Sequence, residues 1–190
     1  MTNGSEETVT AVAFWSEPYE PTIEGDPEIL GMLDWYRGLA RADGALPRAA
    51  IDPLALRRHI GRLCLYQMTA EGRLRVRLRG EQIGERSHED AAYLDENRPP
   101  AYRDSQLVDF HAALRAPHPC VHRVFVRAGE EQVFYRRLLV PVASTAQRAD
   151  MLLLFNPDAQ PGGRPSFMRV FERARWLSIG LNPPEDEGAD

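Results

Sequence analysis

The chain has 190 residues, and all 23 of its basic residues are Arg because it contains no Lys. From Leu30 to Ser178 these 23 Arg stand against 17 Asp and Glu, a balance of +6, while the flanks hold the other 11 acids and no Arg. The length suits one domain with tails, and acidic flanks around a mildly basic body oppose non-specific nucleic-acid binding because they repel phosphate.

Residues 1–25 are acidic and contain Pro18, Pro21 and Gly25. They read as an extended or mobile arm. Asp26-Pro27 is a helix start, with Asp at the N-cap and Pro at the first helical position. The following EILGMLDWYRGLARA places Ile29, Leu33, Tyr36 and Leu39 on one stripe, so an amphipathic helix is expected up to about Asp43-Gly44. Asp52-Pro53 repeats the same signature and predicts a short second helix to about Gly61.

LCLYQMT and RLRVRLRG, separated by AEG, read as a β-hairpin. In the second strand Arg73, Arg75, Arg77 and Arg79 alternate with Leu74, Val76 and Leu78. A period of two puts all four guanidinium groups on one side of the sheet. Residues 87–100 are polar and end in Pro99-Pro100, so they read as loop. YRDSQLVDFHAALRA is a helix. Three strands follow, PCVHRVFVRA, EQVFYRRLLVPVA and ADMLLLFNP, with a tight turn at Gly129-Glu130. A Pro/Gly linker leads to a last helix, SFMRVFERARWLSIG, and an acidic tail.

The two Cys, Cys64 and Cys120, are too few for a disulfide framework, and no CxxC occurs. A reducing cytoplasm is the expected compartment. The N-terminus lacks the basic and apolar regions of a secretory signal. MLLLF is far too short to span a bilayer, so no membrane partner is expected. Hairpins on both sides of a helical middle predict an α+β domain, with one five-stranded antiparallel sheet and helices packed on one face.

That element order resembles a PAS domain, in which two strands, a helical segment and three more strands form a sheet that cups a small pocket. LDWYRG, LPRAAIDPLAL, RVRLRG, RRLLVPV and DMLLLF together resemble a bacterial family of short stand-alone PAS-like proteins, with LPRAAIDP the most specific stretch. One departure is GERSHEDAAYLDEN, where the family has something like GRDLTG. The resemblance covers roughly residues 30–157. With the flanks read from their composition, the chain divides into an acidic flexible arm (1–25), a PAS-like domain with its preceding helix (26–157), a C-terminal helix (158–181) and an acidic tail (182–190).

The resemblance implies a non-catalytic sensory or regulatory module that binds a small molecule, a partner protein or both, and signals in trans. It names no ligand and no cofactor. Its pocket would lie between the sheet and the segment 81–115, and the candidates to line it are Arg77, Tyr93, His111, His122 and Tyr135. Helices that precede PAS cores often build dimers. Leu33, Trp35, Tyr36 and Leu39 are therefore candidates for a homodimer interface, and the last helix is a second one.

Each candidate has a plainer reading. The four arginines could hold an anionic small molecule, or simply be solvated or paired within the fold; no aromatic platform interleaves them as single-stranded nucleic acid would need. His118, Cys120 and His122 alternate on one strand as metal ligands can, but the spacing matches no zinc module, so a half-buried polar strand is preferred. His111 could be a haem ligand or a structural helix residue. No phosphate loop, nucleophile elbow, zincin or kinase motif is present. The rival function is a small cone-shaped α+β isomerase or dehydratase using His122 with Asp104 or Asp109, which requires an acid–base pair within reach of each other inside an open pocket.

Overall fold

Three stretches, LCLY, LLVPVA and MLLLF, are apolar at every position rather than at every second one. Strands of that composition are buried on both faces, and this decides the architecture. The computed structural model describes residues 12–83, 91–96, 99–145, 148–159, 170 and 174. Its strands are β1 (Val12–Pro18), β2 (Leu46–Pro47), β3 (Leu63–Met68), β4 (Leu74–Arg79), β5 (Cys120–Ala128), β6 (Glu131–Ala143) and β7 (Met151–Phe155), and its helices are α1 (Pro27–Arg37) and α2 (Pro100–Arg115). Among the described residues six strands run antiparallel in the order β1-β5-β6-β7-β3-β4, and a seventh, the short β2, lies off this path and pairs parallel with β6.

The α+β class holds, but the helices do not share a face. On one side α1 packs Ile29, Met32 and Tyr36 over Leu63, Leu65, Leu138, Val140, Leu153 and Phe155. On the other, α2 packs Phe110, Ala113 and Leu114 over Cys64, Tyr66, Leu139, Leu152 and Leu154. The alternate residues of β3, β6 and β7 therefore feed two cores, and a second layer of helix is needed to cover them.

Two strands exceed the five expected. Val12–Pro18, assigned to the acidic arm, is β1, paired with β5 from Val12–Ala128 to Pro18–His122. Its VAFW start carries the aromatic and β-branched residues that suit a strand. Residues 1–11 and the tail 182–190 lie outside the described residues. So does the C-terminal helix, apart from Val170 and Ala174, which are buried beside Tyr102, Val124 and Tyr135.

The Asp26-Pro27 signature starts α1, yet the Asp26 side chain does not cap it. It is fully buried and accepts instead from Tyr19 Oη (2.5 Å), the Thr22 amide (3.0 Å) and Arg136 Nη1 (2.7 Å). Arg136 also grips Asp158 beyond β7 and the Gly25 carbonyl, so one guanidinium ties the entry of α1 to the end of the sheet. Helix α1 stops at Arg37, short of the expected Asp43-Gly44. Gly44 has φ +82°, and a Cβ there would lie 1.4 Å from the Pro117 carbonyl oxygen, so only glycine fits that corner.

No helix forms at Asp52-Pro53. Asp52 Oδ1 accepts from the Leu54 amide (2.9 Å) in a local turn, and Leu54 is 68% exposed. Between Asp52 and His59 only Leu56 is buried, which is too little apolar contact to hold a short helix. In LPRAAIDP, Leu46-Pro47 is β2 and Arg48–Ala50 a single 3₁₀ turn.

The arginine strand is interrupted. Tyr66 pairs with Val76 but Leu65 pairs with Leu78, which leaves Arg77 as an extra residue in a β-bulge. A one-residue bulge reverses the faces beyond it. Arg75 lies opposite Gln67 on the α1 side, whereas Arg79 lies opposite Cys64 on the α2 side. The four guanidinium groups therefore do not line one face. Arg73 is bonded bidentately to Asp95 (3.0 and 2.8 Å) and lies 3.8 Å from the centre of the Tyr93 ring. Arg79 donates to the Ala91 carbonyl, and Arg75 and Arg77 are exposed. The glycine closing R-L-R-G, Gly80, sits where a Cβ would be 2.3 Å from the Gly61 carbonyl oxygen.

Candidate functional site

The inner side of α2 is not wholly apolar. Tyr102, Gln106, Phe110 and Ala113 recur at helical spacing and are buried, so Gln106 is carried into the interior with them. Asp109 stands one turn further on. Opposite them, β5 presents Cys120, His122 and Val124, paired with Leu139, Arg137 and Tyr135 of β6. Because side chains alternate along each strand, Tyr135, Arg137 and Leu139 all point towards α2. Ser16 of β1 lies opposite Val124 on the same side.

These residues form one polar cluster inside the fold. The Arg137 side chain is fully buried, and its Nη2 donates to Asp109 Oδ2. Ser16 Oγ donates to the same oxygen at 2.5 Å. The guanidinium carbon lies 5.1 Å from the centre of the Phe110 ring. Asp109 is 16% exposed, so the ion pair has a wet end at the carboxylate and a dry end at the arginine. Gln106 Nε2 donates to Tyr102 Oη (2.7 Å), which is 2.9 Å from Tyr135 Oη.

Four buried polar atoms of this cluster have no hydrogen-bond partner among the described residues: Arg137 Nε, Arg137 Nη1, His122 Nδ1 and Gln106 Oε1. Native interiors satisfy nearly all such atoms, and each orphan costs about 1–3 kcal/mol. Four in one cluster mark a place where the described residues do not complete the bonding.

Burial sets the protonation of the neighbours. It lowers the His122 pKa, the nearby Arg137 charge lowers it further, and Asp109 opposes both; the ring is therefore neutral at pH 7. Burial pushes the Cys120 thiol up to about 11, so little of it is thiolate at neutral pH and it is a poor nucleophile there.

Of the residues proposed from sequence, His122 and Tyr135 stand in this cluster. Arg77 is the exposed bulge residue, Tyr93 lies under Arg73 at the edge of β4, and His111 faces away from the inner stripe of α2, half-buried. Asp109 joins the cluster, while Asp104 pairs with Arg103 on the surface, 62% exposed. Arg137, Gln106 and Tyr102 were missed. Their signal was present: an Arg in phase with Tyr135 and Leu139, next to the apolar run LLVPVA of β6, and a Gln in phase with Tyr102 and Phe110. Among the described residues no group of three or more His, Cys, Asp or Glu is placed to hold a metal.

No family model, curated protein or solved structure matches this chain. The functional reading therefore rests on the geometry.

The proposed dimer residues divide. Tyr36 is a core residue whose hydroxyl donates to the Gly44 carbonyl (2.6 Å). Leu33 and Trp35 pack on the core at partial burial, and Leu39 is 39% exposed. Leu33 and Tyr36 also line an open groove of about 500 Å³ with Tyr19, Glu20, Arg37 and His118. That groove lies on the α1 side, where one further buried atom without a partner among the described residues, Arg123 Nε, stands beside Tyr19; the four gathered on the α2 side are the stronger pointer to a ligand. Elsewhere on the α1 side, Trp15 stacks on Phe125 (5.0 Å, 7°), and Arg123 lies 4.0 Å from the Tyr19 ring and 5.4 Å from that of Phe134. Among the described residues no helix is long and apolar enough to cross a membrane.

Proposed function

We propose that this chain is a PAS-like sensory or regulatory module that acts by binding, with the Arg137–Asp109 cluster under α2 as the ligand site. One observation carries the reading: four unsatisfied polar atoms gathered in the interior between the sheet and a helix of its helical middle. The fold supports it, since β3 and β4, then the segment with α2, then β5, β6 and β7 follow in chain order, and the five strands belong to one sheet in which β3 pairs antiparallel with β7. Ligand bonding at the dry end of Arg137 biases the position of α2 against β5 and β6, and a partner protein reads that change. Such coupling requires different affinities for two positions of the helix.

The enzyme reading is less well supported. His122 and Asp109 do flank Arg137, but Asp109 already accepts from Arg137 and Ser16. A carboxylate engaged in this way is poorly placed to orient His122 as a base.

Native mass spectrometry of freshly purified protein, compared with the same sample after denaturation, tests the proposal. The expected result is a small bound mass lost on denaturation from the wild type and absent from Arg137→Met/Asp109→Leu. A bound mass that persists in the double variant would place the ligand elsewhere. Failure of the native chain to retain or acquire any small molecule would remove the sensory reading.

A further inference from the structure

We infer that the ligand of this site is a small organic carboxylate, held through the inner nitrogens of Arg137. This rests on the proposed binding function and names its chemistry. A guanidinium has five N–H donors. Arg137 places one nitrogen, Nη2, on Asp109, and its Nε and Nη1 remain without acceptors among the described residues, inside a side chain of 0% exposure. These groups can only donate, so what completes them must accept.

The other orphans agree. His122 is neutral, and Nδ1 donates in one of its two tautomers. The Gln106 amide has one satisfied end and one empty end whichever way it is turned, since Tyr102 Oη can accept from the NH₂ or donate to the oxygen. Turned over, it presents NH₂ to the site. All four positions can thus act as donors at once, which suits an acceptor-only group with two oxygens.

Charge argues in the same direction. Asp109 neutralises Arg137 formally, but its carboxylate is at the wet end and 16% exposed, whereas Nε and Nη1 are at the dry end. A cation is excluded by the guanidinium itself. A neutral hydroxyl compound brings its own donors into a site that offers few acceptors. A monocarboxylate brings none.

The test is thermal denaturation of protein refolded from urea, titrated with sodium acetate, propionate and butyrate against sodium chloride at equal ionic strength. A saturable rise in Tm of about 5–10 °C at a hundredfold excess over Kd is expected for at least one of the three acids. The rise should be absent in Arg137→Met/Asp109→Leu, whose folding is checked by circular dichroism, and reduced at least tenfold in apparent affinity in Gln106→Leu. Equal shifts with chloride, or none with any acid, overturn the carboxylate assignment. The two failures are separable. A bound mass in the native protein that is not an acid refutes only the ligand class, whereas no bound mass and no shift refute the binding function as well.

Discussion

Replacing Arg137 and Asp109 together, as Arg137→Met/Asp109→Leu, is expected to stabilise the ligand-free protein. The pair is a buried guanidinium against a mostly buried carboxylate, and two of the three nitrogens of that guanidinium have no acceptor among the described residues. Removing two orphan nitrogens relieves about 2–6 kcal/mol at about 1–3 kcal/mol each. Against this stand the lost contact of Arg137 with the Phe110 ring and the lost Ser16–Asp109 bond, together worth about 1–3 kcal/mol. The balance runs from about −1 to about 5 kcal/mol and centres on a gain of about 2 kcal/mol, within the range of about 1–4 kcal/mol found when buried ion pairs give way to apolar residues. For a chain of this size it raises Tm by about 2–4 °C per kcal/mol. Arg137→Met alone should lose about 1–3 kcal/mol, less than a fully buried pair loses, because the abandoned Asp109 keeps some water. Urea denaturation of refolded protein at pH 7 measures both, with m unchanged as the sign that the unfolded states are comparable. A double variant less stable than wild type by more than about 1 kcal/mol would show that the cluster is there to hold the fold and not to bind a ligand.

Other consequences follow from groups outside that cluster. Burial alone would raise the Asp26 pKa, but hydrogen bonds from Tyr19, Thr22 and Arg136 outweigh it and hold the carboxyl below its usual range. Its contribution is therefore full above the unfolded carboxyl pKa of ~4 and fades as pH falls through the lower folded value. Asp26→Asn should cost about 2–4 kcal/mol at pH 7 and flatten the decline in stability below pH ~4; a parallel acid limb in wild type and variant would be the contrary result. Gly44→Ala combines a positive φ with a backbone clash against Pro117, and about 3–5 kcal/mol should be lost in urea denaturation; a cost under ~1 kcal/mol would mean that the corner yields. The Cys120 thiol, pushed up to about 11 from 9.0, should react with iodoacetamide at pH 8 about a hundredfold more slowly in folded than in urea-unfolded protein, as peptide-level mass spectrometry can follow.

Much of the fold was legible because its signals are local. EQVFYRRLLVPVA bounds β6 at both ends, and the hairpin of β3 and β4 has its turn at Gly72 with φ +80°. What escaped was non-local. The bulge at Arg77 depends on how β4 meets β3, and no alternation within RLRVRLRG reveals it. The strand VAFWSEP is too short and too close to Pro and Glu residues to outweigh their loop signal until β5 offers an edge. The placement of α1 and α2 on opposite faces was available in the unbroken apolar runs of β3, β6 and β7, which need cover on both sides.

The candidate site was half legible for the same reason. His122 and Tyr135 stood out by residue type. Arg137 was hidden by company, as one of 23 arginines in a chain with no Lys. Its burial comes from register, since β5 places His122 against it and α2 brings Asp109 and Gln106 across. The orphaned atoms are a property of the assembled interior and have no signature in the sequence.

The most direct measurement is a high-resolution crystal structure of the freshly purified protein, read at the inner nitrogens of Arg137. A bound carboxylate should appear there, accepting from Nε or Nη1 and within hydrogen-bond reach of His122 Nδ1 or the Gln106 amide. An interior in which those atoms are completed by water alone, or in which Arg137 turns to another residue of the chain, would contradict the claim that this cluster is a ligand site.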